Sequence, residues 1–235
     1  MSDQPRRAQK KALTRAHVQR TARRLFRERG FDAVTIADVA AAADVAVQTV
    51  FNHFPAKEEL FWSDRSRWVA GPADAVRDRA PGVPALTALR EHLAEATARF
   101  AGRLASAEGR DAVESLDRSP ALRATERELH HDAEVLLRAA LEEAWTGPDA
   151  ERPVPADPRL AAALVATTWL ATTRTLVTTV RDPLPAPADV PALAERTRAL
   201  TDRLLARLER DLGRTVPGPG VPVPDDGVPG VLRAV

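Results

Sequence analysis

The 235-residue chain contains no cysteine, which excludes disulfide frameworks, thiolate zinc sites and cysteine nucleophiles. Histidine is scarce and badly placed for chemistry. His130 and His131 are adjacent, so on a helix they point about 100° apart and cannot grip one metal ion. His92 has no partner at metal-ligand or triad spacing, and no glycine-rich phosphate loop occurs. No catalytic residue, metal site or cofactor is therefore expected. An apolar leader is also missing, since the opening MSDQPRRAQKK is polar and basic. The one long apolar stretch, Leu160 to Val180, carries a single charge, Arg174, but seven threonines, and its length is marginal for crossing a bilayer. It reads instead as a helix buried in a dimer core, so a cytoplasmic protein with no membrane partner is expected.

What is present suits a globular chain: 44% hydrophobic and 29% charged residues, enough to build a real core. Alanine, leucine and arginine dominate, which points to an all-α fold. Charge is unevenly spread. Residues 1–60 hold eleven Lys/Arg against seven Asp/Glu, whereas residues 61–235 hold 23 against 26. An electropositive head on a near-neutral body suggests that the head alone meets a polyanion.

Residues 1–11 read as a disordered basic arm. A helix follows from about Ala12 to Arg29, with Leu13, Ala22, Leu25 and Phe26 on one side. Gly30 stands at its C′ position, with Phe26 and Phe31 placed for the contact of a Schellman ending. Thr35 caps the next helix, and Asp38 three residues on completes a capping pattern. Asp44 interrupts it, and Val47 to Phe54 form a third helix before Pro55. Residues 12–60 thus make a three-helix N-terminal domain. Residues 61–213 then form longer amphipathic helices, and 214–235 a flexible Pro/Gly-rich tail. Within the larger part, Leu86, Leu89, Leu93, Phe100 and Leu104 keep helical spacing. Ser119 and Pro120 make an N-cap and N1 pair; residues 147–158 are a loop, and two final helices span about 158–181 and 190–213.

The segment TIADVAAAADVAVQTVFNHFPAKEEL, residues 35–60, has the parts of a helix-turn-helix: support helix, tight turn, and a second helix with a polar face for the major groove. Ile36, Val39, Ala40, Val45, Val50 and Phe54 take inward positions. Val47, Gln48, Phe51 and Asn52 are left outward. Gln and Asn amides can pair with adenine, and Val or Phe can touch a thymine methyl. Thr35, Thr49, His53 and Lys57 are short donors or cations suited to flanking phosphates, and Asn52 joins that set. The plain alternative is a small helical hairpin with a solvated face; the basic arm, the caps and the polar face together favour DNA.

Thr14 to Leu60 resembles the DNA-binding domain of the TetR/AcrR family of bacterial transcription regulators. TVFNHFPAKEEL stands against the family's usual T-L-Y-x-Y-F-x-x-K-x-x-L, and LFRERGF and TIADVAAAA match as well. The resemblance implies three DNA-binding helices followed by a helical ligand-binding and dimerisation domain. It implies that Val47, Gln48 and Phe51 approach bases and that Thr35, Thr49, His53 and Lys57 meet phosphates. Three residues depart from the pattern. Phe51 replaces the usual Tyr and so has no hydroxyl to offer; Asp44 replaces the turn's Gly, at some cost. Ala46 replaces a Ser cap, which costs the third helix about 1 kcal/mol. Arg6, Arg7, Lys10 and Lys11 are candidates to compensate by reaching a neighbouring groove.

One recognition helix covers a half-site, so a homodimer on a palindromic operator is expected. The last two helices, the second carrying Leu193, Leu200, Leu204, Leu208 and Leu212, are the candidates for a four-helix dimer bundle; an intrachain core is the alternative. Trp68, Phe100, Trp145 and Trp169 are candidates to line a pocket for a small-molecule effector, with Arg174 holding an anionic group; core packing and an interface salt bridge are the alternatives. Thr168, Thr172, Thr175 and Thr179 form a stripe that either lines a polar wall or bonds back to its own helix. The Ser115–Val180 region is similar to the effector domain of the mycofactocin-regulator-like subgroup. Two other functions compete. An enzyme lacks its residues, and an architectural DNA binder would leave the large body without a role. Repression is the family's common mode.

Overall fold

Lysine, arginine, glutamine and alanine are strong helix formers, and the chain uses them from its beginning. In the computed structural model, α1 runs from Asp3 to Arg29, so residues 3–11 continue this helix rather than forming a disordered arm. Pro5 lies in the first turn, where its missing N–H is not needed. Residues 3–62, 65–148, 150 and 154–215 are described; they form ten α-helices and one short 3-10 turn, with no strand among them. The expected tail beyond 215 lies outside the described residues.

The head comprises α1, α2 (Ile36–Ala42) and α3 (Val47–His53). Val18, Ala22, Leu25 and Phe26 from α1 meet Val39, Ala40, Val50 and Phe54 in one buried cluster. Leu13, expected on the same side, instead stays 65% exposed. Gly30, at φ +82°, ends α1 with a single bond from its N–H to the Phe26 carbonyl, the simpler αL ending rather than the Schellman pair. The Phe26 and Phe31 rings pack 5.0 Å apart, as expected.

Helix α4 (Lys57–Phe61) still packs on the head through Leu60, and the body holds α5 (Arg65–Arg77), α6 (Ala85–Arg103), α7 (Ala107–Arg118), α8 (Pro120–Thr146), α9 (Pro158–Arg181) and α10 (Val190–Thr215). Helix α6 lies along α10, α5 along α8, and α8 along α9. Gly71 lets α5 approach closely: a Cβ there would stand 2.9 Å from His92 Nε2 on α6. Helix α9 is long and apolar enough to cross a membrane, yet Ala161, Ala162, Val165, Ala166, Trp169 and Leu170 bury one of its faces in the body core. Its other face leaves Leu160 and Leu164 exposed, and Leu200 and Leu204 are exposed on α10. Leu205, not one of the expected stripe, is the α10 leucine that is fully buried, and Leu208 packs against the same core. The side chain of Leu212 lies outside the described residues.

Head and body meet at the corner between α7 and α8. Leu116 and Leu122 belong to the head's own apolar cluster. Between them, Ser119 caps α8, accepting from Leu122 N–H while its hydroxyl donates to Asp32 of the α1–α2 loop at 2.8 Å. Just beyond, Arg181 at the end of α9 is buried and pairs with buried Glu126 at 3.0 Å and with Asp117 at 3.3 Å.

Candidate nucleic-acid interface

A short helix standing alone needs its ends fixed, and α2 is fixed well. The Thr35 hydroxyl accepts from Asp38 N–H at 3.1 Å, while Asp38 accepts from Thr35 N–H at 2.8 Å and from the hydroxyl at 2.6 Å. Bonds from the Thr35 side chain and then its backbone hold the Asp38 carboxyl below its ordinary value. This capping box spends the only hydroxyl hydrogen of Thr35. In this state the residue has no side-chain donor for a phosphate.

The turn to α3 passes through Asp44 at φ +51°, the αL conformation that a glycine there would take without strain. Ala46 opens α3 without a side-chain cap bond, as its methyl group dictates. Val50 and Phe54 anchor α3 from beneath. Arg15 of α1 locks its far end: its guanidinium donates to the His53 carbonyl and lies 4.1 Å from the Phe54 ring centroid. Arg15 carries no signal of this role in the sequence, because its partner stands 38 residues away.

Anchored this way, α3 presents Val47, Gln48, Phe51 and Asn52 to solvent. Val47 is 43% and Phe51 42% exposed, an uncommon cost for two apolar side chains on a helix of seven residues. Gln48 donates to Asn52 at 3.2 Å, one turn on, which orients both amides across one face. On the flank of α3, Thr49 and His53 are both half-buried. Burial, then the charges of Lys11 and Arg15, lower the His53 pKa below the usual imidazole range. Lys11 therefore sits within electrostatic reach of α3, and Lys10 and Lys11 are both exposed. The side chains of Arg6 and Arg7 fall outside what is described.

Lys57 turns inward. Its ammonium donates to the Phe31 and Val34 carbonyls, each at 2.9 Å, and sits 4.2 Å from the Phe31 ring centroid. Two of its three hydrogens thus clamp the α1–α2 loop.

The candidate pocket residues do not converge. Trp145 and Trp169 are buried in the body core, and Phe100 packs against a separate cluster of Leu104, Val113 and Val190. Trp68 lies outside, its ring 4.3 Å from that of His130. Arg174 is exposed and lines a cleft between α8 and α9 with His130, Glu134 and Thr167. The threonine stripe bonds back to its own helix: Thr172 to Thr168, Thr175 to Ala171 and Thr179 to Thr175. No group of three or more potential metal ligands occurs among the described residues.

A three-helix head whose third helix is held from behind and offers an amide-bearing face is a helix-turn-helix DNA-binding domain. Residues 20–62 match the model of the tetR family of bacterial regulatory proteins, so the head is a DNA-binding domain of that type. No curated protein sequence matches the chain. Among solved structures, it is similar to SmeT of Stenotrophomonas maltophilia in its triclosan complex, with 19% identity and a TM-score of 0.51 over 82% of this chain and 91% of that one. Salmonella enterica GusR shares 23% identity over 82% of this chain and 95% of its own, with a TM-score of 0.48. NalD of Pseudomonas aeruginosa shares 20% over 79% and 96%, also with a TM-score of 0.48. The SmeT likeness confirms the all-helical architecture. The similarity to the mycofactocin-regulator-like subgroup finds no support in these matches.

Proposed function

We propose that the chain is a cytoplasmic repressor that binds a palindromic operator as a homodimer and releases it when a small molecule occupies the body. One observation carries the DNA reading: Val47, Gln48 and Phe51 are held outward on a helix whose other side is locked by Val50, Phe54 and Arg15. Such a surface suits base edges, with Gln48 reading adenine and Val47 and Phe51 touching thymine methyls. Thr49, Asn52 and His53 flank it for phosphates, and Lys10 and Lys11 extend the positive surface along α1. The uncovered leucines of α9 and α10 favour a second copy of the chain, since two half-site readers are needed for specific affinity. SmeT, described as the repressor of a multidrug efflux pump, is a relative in fold that has been seen with triclosan, which favours repression and a small-molecule effector here.

Selection of duplexes by the full chain, followed by footprinting, tests this reading. A short inverted repeat is the expected result; uniform coating of DNA overturns it. Gln48→Ala should cost about 1–3 kcal/mol and relax preference at one position of each half-site. Removing residues 1–11 should weaken binding and flatten its salt slope by about 0.9 for each phosphate no longer neutralised.

A further inference from the structure

Helices α2 and α3 have seven residues each, and each leaves its last carbonyls without partners inside the helix. Both ends are met from α1. The Arg15 guanidinium donates to the carbonyl of His53, the last residue of α3, and rests on the Phe54 ring. His17 donates from Nε2 to the carbonyl of Ala43, the C-cap of α2, at 3.2 Å.

These two side chains are two residues apart, so they leave α1 in directions about 160° apart around its axis. Val18, Ala22 and Leu25, all in the buried cluster of the head, lie in the arc between them. The unit of α2, turn and α3 thus sits on α1 with a grip on each flank, His17 at the end of α2 and Arg15 at the end of α3. A roll of that unit about α1 in either direction pulls against one of the two bonds.

Placement of α3 leans on these grips, because Ala46 supplies no cap bond at its entry. Gln48 stands about 7.5 Å of helical rise before His53. A tilt of about 10° at the far end of α3 would carry Gln48 about 1.3 Å, enough to break a hydrogen bond to a base edge. Attraction between charges falls off far more slowly with distance, so contacts to phosphates tolerate such a shift.

Resting on the reading of the head as a sequence-specific operator binder, we propose that Arg15 and His17 are positioning residues for DNA recognition. They act through the His53 and Ala43 carbonyls to hold Gln48 in register with its base. Arg15, although it is a cation on the same helix as Lys10 and Lys11, is not a phosphate ligand.

The test is equilibrium binding of the full chain to a selected duplex and to a scrambled duplex of equal length and composition, over a range of salt. Arg15→Gln should lower the ratio of the two affinities about ten- to a hundredfold, and His17→Leu about three- to tenfold. The salt slope on the selected duplex should not change. His17→Gln, whose amide can replace the Nε2 donor, should keep most of the ratio. Arg15→Lys keeps the charge and a donor but not the flat fork, and should recover part of it. Arg27→Gln removes the same charge from an exposed position on α1 and should leave the ratio as it is. Equal losses on both duplexes overturn the proposal, as does an equal effect of Arg27→Gln. A slope reduced by about 0.9 for each Arg15 removed also overturns it, because Arg15 would then be a phosphate ligand.

Amide hydrogen exchange, which needs no duplex, keeps the two readings apart. Residues 47–53 should exchange faster in Arg15→Gln and in His17→Leu, with residues 18–26 as slow as before. Faster exchange across both stretches would mean that the whole head loosens, and overturns the proposal. If α3 alone responds but no duplex is selected, the operator reading falls while the grip on α3 remains. If a duplex is selected and neither variant moves its ratio, the positioning role falls and the operator reading stands.

Discussion

Ser119 donates to Asp32 at 2.8 Å across the seam between head and body, and the same oxygen caps α8. Ser119→Ala removes both interactions at a fully buried position. It should destabilise the chain by about 1–3 kcal/mol in urea titrations. Asp32→Asn keeps an acceptor and should cost less. Equal losses for the two variants would mean that the seam bond, not the cap, carries the effect.

Arg181 and Glu126 are buried together. Arg181→Met alone strands the Glu126 carboxylate and should cost about 3–5 kcal/mol, whereas pairing it with Glu126→Leu should recover most of the loss. Asp117 is 43% exposed and can return to water. A double variant no more stable than the single one would contradict this account.

Lys57 is a clamp in this structure, not a free phosphate ligand. Lys57→Met leaves the Phe31 and Val34 carbonyls without their donor and should lower head stability by about 1.5–3 kcal/mol. The salt slope of DNA binding should stay unchanged under conditions where the variant is folded. A slope reduced by about 0.9 would restore Lys57 to the phosphate contacts.

Ala46 offers the converse experiment. Its backbone already has the extended conformation of an N-cap, so Ala46→Ser needs no rearrangement to bond α3. Stability should rise by about 0.5–2 kcal/mol, read as a higher melting temperature.

Acid should weaken the fold before carboxylates matter. His53, His92 and His130 all titrate below the ordinary imidazole range, with burial the first cause in each. In the unfolded chain they take up protons near about pH 6.5, and the folded chain resists until lower pH. Between about pH 6.5 and His130's value of about 4, the unfolded state binds more protons, so stability falls as pH falls. Denaturation midpoints measured across that range should drop, and His130→Asn should flatten part of the drop.

The features legible in the sequence are those set by near neighbours. The Thr35–Asp38 box, the αL turn at Asp44, the missing cap at Ala46 and the Ser119–Pro120 start of α8 all depend on residues within one turn. The rest depends on distant packing. Composition cannot show that Lys57 folds back on a carbonyl 26 residues away, or that Trp145 and Trp169 go to the core rather than a pocket wall. Arg181 carries no signal of a buried pair in the sequence; only the fold brings Glu126, 55 residues earlier, beside it. The basic segment before Ala12 reads as an arm because charge runs suggest solvated chain, while these same residues also favour helix.

Pro72 lies inside α5 and has no N–H to give the Trp68 carbonyl one turn earlier. Helix α5, which follows the head, is therefore notched at the level where Trp68 meets His130. A notched shaft bends at its notch, so a small sideways push on Trp68 would become an angular swing of everything before it. In a dimer, two such swings would alter the spacing between recognition helices, and DNA of fixed pitch punishes a change of spacing in both half-sites at once.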